Sequence, residues 1–172
     1  MAKLIKHRAV AKDSWQLLER GPDGALPALP LGGDAILPLA LWRARREDLA
    51  TYSGKLGVWL DSDEDPADIA VDLERFTVVA VKFPKFGDGR GFSTARLLRE
   101  RYGYRGELRA VGDVLRDQLL FMARCGFDAF ALRDDQDETE ALSAFDDFGD
   151  GYQAWVGQPL PLFRRRLAGT AP

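Results

Sequence analysis

The sequence contains one cysteine, Cys125, and one histidine, His7. These two scarcities exclude more chemistry than any motif in the chain suggests. A single thiol cannot close an internal disulfide. Nor can it supply the roughly four thiolates that hold an iron–sulfur cluster. A structural zinc site of Cys and His is excluded with it. No cofactor is therefore expected to be held covalently or through Cys and His. A nicotinamide or flavin bound by other contacts stays open. A Ser-His-Asp or Cys-His mechanism would have to recruit His7 from the N-terminal arm. Any redox centre that the chain serves belongs to another molecule.

An excess of one charge is also missing. There are 24 basic and 27 acidic residues, a net charge of −3, mixed along the chain. A general nucleic-acid binder would show a basic excess, so no nucleic-acid partner is expected. No run approaches the ~18 apolar residues of a membrane span. Met1–Val10 carries charges where a signal peptide would be apolar. The expectation is a cytoplasmic protein without a membrane partner, with Cys125 reduced.

What is present is an ordinary globular composition, 46% hydrophobic and 30% charged, over 172 residues. That suits one domain with a core large enough to need no staples. Its expected parts are an N-terminal β arm and loop over 1–33, an α/β core domain over 34–150, and a C-terminal extended arm over 151–172. Lys3-Leu4-Ile5, Ala9-Val10 and Trp15 suggest a short strand pair, with Lys12-Asp13 near a turn. Gly21-Pro22-Asp23-Gly24, Pro27, Pro30 and Gly32-Gly33 make a loop or linker.

A strand–helix rhythm then begins. Ala35–Leu39 is a short apolar run, followed by helix formers over 40–50. Leu56–Leu60 reads as a buried strand. Asp65-Pro66 opens a helix, with Asp as N-cap and Pro at its first position. Ile69, Leu73 and Phe76 share that helix's inner face. Thr77–Val81 is the clearest strand, β-branched and apolar throughout. A helix through Ala95, Leu98 and Tyr102 stops at Gly103. Leu108–Val111 is the fourth strand, and its helix from about Val114 to Cys125 stops at Gly126. Phe127–Leu132 is the fifth strand. Ala141, Leu142, Phe145 and Phe148 then mark one side of a last helix.

Strands apolar on both faces and alternating with helices predict a mainly parallel sheet of about five βα units. An eight-fold barrel needs ~250 residues. The expected fold is thus α/β, an open doubly wound sheet, with a half-barrel-like sheet as the alternative. Either way the functional edge is the C-terminal end of the strands.

Four loops emerge at that edge: Asp61–Asp65, Lys82–Ser93, Gly112-Asp113 and Arg133–Asp135. The second is the strongest candidate. Gly87, Gly89 and Gly91 at alternate positions would let backbone approach a ligand. Free N–H groups at a helix start attract anions such as phosphate, sulfate or carboxylate. Lys82, Lys85 and Arg90 add positive charge, and Ser93 a hydroxyl. Asp88, Arg90 and Asp113 would be the working polar groups, with Arg116 nearby. No nucleotide fingerprint is present. The plain reading is a tight turn capped by Asp88 or Ser93. Asp113 is most simply an N-cap; as a catalytic carboxylate it would need Asp61 or Asp88 as partner. Arg109, inside a strand, must reach a carboxylate or the sheet edge. Cys125 reads as a buried structural thiol. Asp61–Asp65 lacks the EF-hand pattern and reads as a solvated loop, so no metal site is expected. Arg164–Arg166 after Pro161-Leu162-Phe163 is a solvated tail or a partner contact, with Phe163, Arg164 and Arg165 as the contact candidates.

From Phe83 to Leu132 the sequence resembles a bacterial family of unknown function. The likeness rests on Phe83-Pro84, Gly87–Ser93, Ala95–Arg99, Gly106–Gln118, Met122–Asp128 and the terminal Pro161–Arg164. It extends more weakly to Ala35–Leu39 and Leu56–Leu60. Members of that family are typically encoded beside assimilatory sulfite reductase and are often labelled oxidoreductases. The resemblance implies a place in sulfur assimilation and cysteine biosynthesis, and it brings no catalytic residues. It implies an accessory protein that binds the sulfite reductase haemoprotein subunit or its electron donor. The alternative is a small anion- or cofactor-binding enzyme with its ligand over Gly87–Ser93. A third reading is a homo-oligomer joined through open sheet edges.

Overall fold

In the computed structural model, which describes residues 3–149 and 151–169, one eight-stranded sheet organises the chain. The ends of both predicted arms, at 1–2 and 170–172, lie outside the described residues, as does Asp150. The strands are β1 (Lys3–Lys6), β2 (Ala9–Ala11), β3 (Gln16–Leu17), β4 (Ala35–Pro38), β5 (Leu56–Leu60), β6 (Val78–Phe83), β7 (Glu107–Gly112) and β8 (Ala129–Leu132). Their order across the sheet is β2-β1-β8-β7-β6-β5-β4-β3. From β3 to β8 every neighbouring pair is parallel, and β1 is antiparallel to both β8 and β2.

This is the half-barrel alternative. A doubly wound sheet reverses its strand order once, and here β3 to β8 follow one another without reversal. Right-handed crossovers then place the connecting helices on one face. The curl has a simple physical measure. Laid flat at ~4.8 Å per gap, eight strands would separate β2 from β3 by about 34 Å. Yet only five residue steps join Ala11 to Gln16, a reach of at most about 17 Å. The two edges must bend towards each other.

Side-chain alternation divides the sheet into two surfaces. The outer one carries Leu37, Val58, Leu60, Val79, Val81, Phe83, Leu108, Ala110 and Phe130, all buried beneath the helices. These are α1 (Leu39–Arg45), α2 (Arg90–Arg96), α3 (Leu119–Cys125) and α4 (Glu138–Leu142), with a 3-10 helix at Pro66–Arg75 and a π turn at Leu97–Arg101. Asp65 caps the 3-10 helix as expected, its carboxylate accepting from the Ala67 amide at 2.8 Å. Gly126 ends α3 with φ +111°, a conformation that other residues resist. The concave surface holds a smaller cluster, Ile36, Trp59, Val78, Ala80 and Val111, against Trp15 and Ala131. Strands read as apolar on both faces because the N-terminal segment covers the inner one.

Four sequence expectations are corrected. The hairpin turns at His7-Arg8, with φ of 50° and 61°, rather than near Lys12-Asp13. Paired left-handed residues match the twist of a tight hairpin, but Asn-Gly is its usual signal. Trp15 precedes β3, which pairs with β4 at the opposite edge of the sheet. Residues Leu162–Leu167 form α5 where an extended arm is expected. Pro161 stands just before the first helical turn, where a missing N–H costs nothing. Phe148, placed beside Phe145 by helical spacing, is exposed while Phe145 is buried, since the helical stretch has ended at Asp146.

Arg109 meets the requirement set by its strand position. It is 2% exposed and pairs with Asp13 at 2.9 Å and Glu107 at 2.7 Å. Glu107 also holds Lys6 of β1 at 2.7 Å.

Candidate functional site

The parallel strands bring the four selected loops to one edge, as the βα pattern requires. Their polar groups form two separate clusters.

The first is built on Asp88. Its carboxylate is buried and accepts from Arg90 three times: from the amide at 3.2 Å, Nε at 3.0 Å and Nη2 at 2.7 Å. Arg90 also donates to Ser62 Oγ at 2.8 Å, which ties the β6 loop to the β5 loop. The Arg90 hydrogen bonds hold the Asp88 carboxyl far below the usual carboxylate range. A group so firmly ionised does not exchange protons near neutral pH. Asp88 also occupies the first free amide of α2, the place an external anion would take.

The second cluster is built on Asp113. Gly112 has φ +94°, and a Cβ there would lie 2.4 Å from the Phe83 carbonyl oxygen, so only glycine fits. The turn sends the Asp113 side chain back to the glycine loop. It accepts from the Phe86 amide at 2.7 Å and from Arg133 Nη1 at 2.6 Å. Asp113 is therefore a clamp between loops and does not cap its own helix. Arg133 also makes a bidentate pair with Asp135, at 2.7 Å for both bonds, and holds that carboxyl down at about 2.

The other candidates disperse. Gly91 lies inside α2, where an added Cβ would meet the Phe83 ring at 2.7 Å; its smallness serves helix–strand packing. Lys85, Gly87 and Gly89 are exposed. Arg116 turns away to Asp147 at 2.9 Å and to Ser143 Oγ at 2.9 Å. Ser93 lines a groove between α2, α3 and residues 151–155, with Phe92, Phe121, Cys125 and Trp155. Burial pushes the Cys125 thiol up. In the C-terminal segment Phe163 and Arg164 are exposed. Arg165 is 6% exposed, and its guanidinium donates to the Leu160 carbonyl at 3.1 Å and the Gly151 carbonyl at 3.2 Å. It fastens the segment and presents little to a partner.

Sequence reasoning missed a third group at the same edge. Arg20 and Lys82 both stack on Trp59, 5.2 and 4.8 Å from its ring. Arg20 pairs with Glu64 at 2.6 Å and Lys82 with Glu19 at 2.8 Å. Glu19 and Arg20 follow β3, a two-residue strand with no readable pattern, so nothing in the sequence placed them here. Among the described residues, no group of three His, Cys, Asp or Glu is arranged to hold a metal ion. None of the described helices is long and apolar enough to cross a membrane.

The fold and this edge define a class: a curled, mostly parallel α/β half-barrel whose loop carboxylates are clamped by arginines. The match of residues 57–163 to the family described as "bacterial protein of unknown function (DUF934)" is more specific, and the chain belongs to that family. No curated protein matches the chain.

Proposed function

We propose that this protein is an accessory protein, not a catalyst, and that it serves assimilatory sulfite reduction by binding the haemoprotein subunit or its electron donor. One observation carries the accessory reading. The polar groups at the strand edge are consumed in pairs with one another, Asp88 with Arg90 and Asp113 with Arg133. Both carboxylates spend their oxygens on arginine and backbone donors. The assignment to sulfite reduction rests on the family resemblance and on the scarcity of redox ligands in the chain. It agrees with a cytoplasmic location. A homodimer through sheet edges has less support, because the edge strands β2 and β3 have three and two residues.

The test is near-native co-purification of tagged protein from its own host. Recovery of sulfite reductase supports the proposal; its absence, with no change in sulfite reductase activity on deletion, ends it.

The second reading is an anion or cofactor site over Gly87–Ser93. It is favoured by the exposed Lys85 and by the exposed glycines beside it. A thermal-shift screen with sulfite, sulfate, phosphate, nucleotides and flavins tests it, since a ligand of the native state must raise Tm.

A further inference from the structure

Away from the strand edge, α2, α3 and residues 151–155 surround a groove of about 470 Å3. Phe92, Phe121, Tyr152 and Trp155 wall it, and Arg96 and Arg124 line it. Phe121 is 55% and Tyr152 68% exposed, large apolar areas to leave in water. A second groove, about 400 Å3, shares Tyr152 and continues along α5 past Phe163, Arg166 and Leu167. Leu167 is 86% exposed. The two grooves meet at Tyr152, which lines both, and together they define a path.

Its charge is opposite to that of the whole molecule. From Gly151 to the C-terminus there are three arginines and no Asp or Glu, in a chain of net charge −3. Arg124 stacks on Trp155 at 5.1 Å, and no ion pair engages it among the described residues. Arg96 pairs with Glu100, in an exposed contact of the kind that exchanges easily. The aromatic walls are held in place beforehand: Phe92 packs edge-on against Phe121 at 4.8 Å.

We propose that this path docks an acidic, amphipathic segment of a partner protein. A bulky apolar side chain of that segment fills the Phe92–Trp155 groove. Its carboxylates pair with Arg124 and Arg96, and a second apolar side chain lies along α5. Preformed aromatic pockets rimmed by arginine are where interface energy concentrates, and guanidinium groups favour planar carboxylates. A polyanion such as nucleic acid would have to meet the negative charge of the rest of the chain. The proposal starts from the accessory reading and gives it a contact surface.

The probe is a fluorescent peptide alternating glutamate with leucine and tryptophan, followed by anisotropy. Wild-type protein should bind it saturably. The matching glutamine peptide, and the variants Phe121→Ser and Arg124→Ala, should bind about tenfold more weakly. Arg45→Ala, on α1 outside the grooves, should bind as wild type does. Tyr152→Ser replaces either groove variant whose Tm falls. Equal binding of the glutamine peptide, or equal affinity of the groove variants, overturns the proposal. So does a wild-type dimer that Phe121→Ser dissociates, which would assign the surface to a second copy. Undiminished co-purification of sulfite reductase with Phe121→Ser overturns the docking site and leaves the accessory reading standing. Peptide binding without any sulfite reductase recovered does the reverse.

Discussion

Asp13 and Arg109 form a buried ion pair, 2.9 Å apart and 96 positions apart in the chain. Asp13 lies in the short connection between the two edge strands, and Arg109 in β7, the fifth of the six parallel strands β3 to β8. The pair pins that connection across the concave face and so helps hold the curl.

Removing Asp13 should be costly, because it leaves the buried Arg109 with Glu107 alone, a carboxylate that Lys6 already shares. Asp13→Ala is expected to lose about 3 kcal/mol of stability in urea unfolding. Asp13→Asn combined with Arg109→Met should recover much of the loss. A single-variant loss below about 1 kcal/mol would mean that the pair does not clamp the segment in solution.

Low pH should weaken the loop clamps in a defined window. Asp88 and Asp135 have depressed carboxyl values when folded, Asp135 at about 2. Their contribution is complete above the unfolded value of about 4 and is lost as pH falls through the folded values. In Arg90→Ala the Asp88 carboxyl returns towards the ordinary range. The Tm difference between wild type and Arg90→Ala should thus be present near neutrality and shrink below about pH 4. A difference that grows on acidification would refute the clamp.

Two glycines of the same edge should behave oppositely. Gly112→Ala must fit a Cβ 2.4 Å from a backbone oxygen at positive φ, and should lose more than about 2 kcal/mol. Gly87 has open space around it, so Gly87→Ala should stay within about 0.5 kcal/mol. Chemical denaturation of both variants checks this.

Cys125 should be a slow thiol. It is buried, and burial raises its value, so little thiolate is available. Labelling with a disulfide reagent is expected to be at least about a hundredfold slower in native protein than in denatured protein. Fast native labelling would mean that the α2–α3 groove opens more widely than the structure indicates.

Much of this fold was legible one element at a time. Leu56–Leu60 and Thr77–Val81 announce buried strands because both of their faces are apolar. Asp65-Pro66 announces a helix start and Gly126 a helix end, because capping and positive φ are local requirements. The need of Arg109 for a carboxylate followed from its place inside a strand. The identity of that carboxylate did not, since Asp13 reaches it only through the curl.

The sequence by itself determined the alternation of strands and helices, the C-terminal strand edge as the meeting place of the loops, and the lack of Cys and His ligands. Those are properties of single residues and short spacings. Only the tertiary structure decided that the strands run in unbroken order and bend into a half-barrel, because apolar alternation does not encode which strand lies beside which. It also decided that Arg90 closes on Asp88, that Arg133 closes on Asp113, and that Arg20 and Lys82 share the face of Trp59. Such pairings depend on register between distant strands, and the chain acquires that register only when the whole sheet packs.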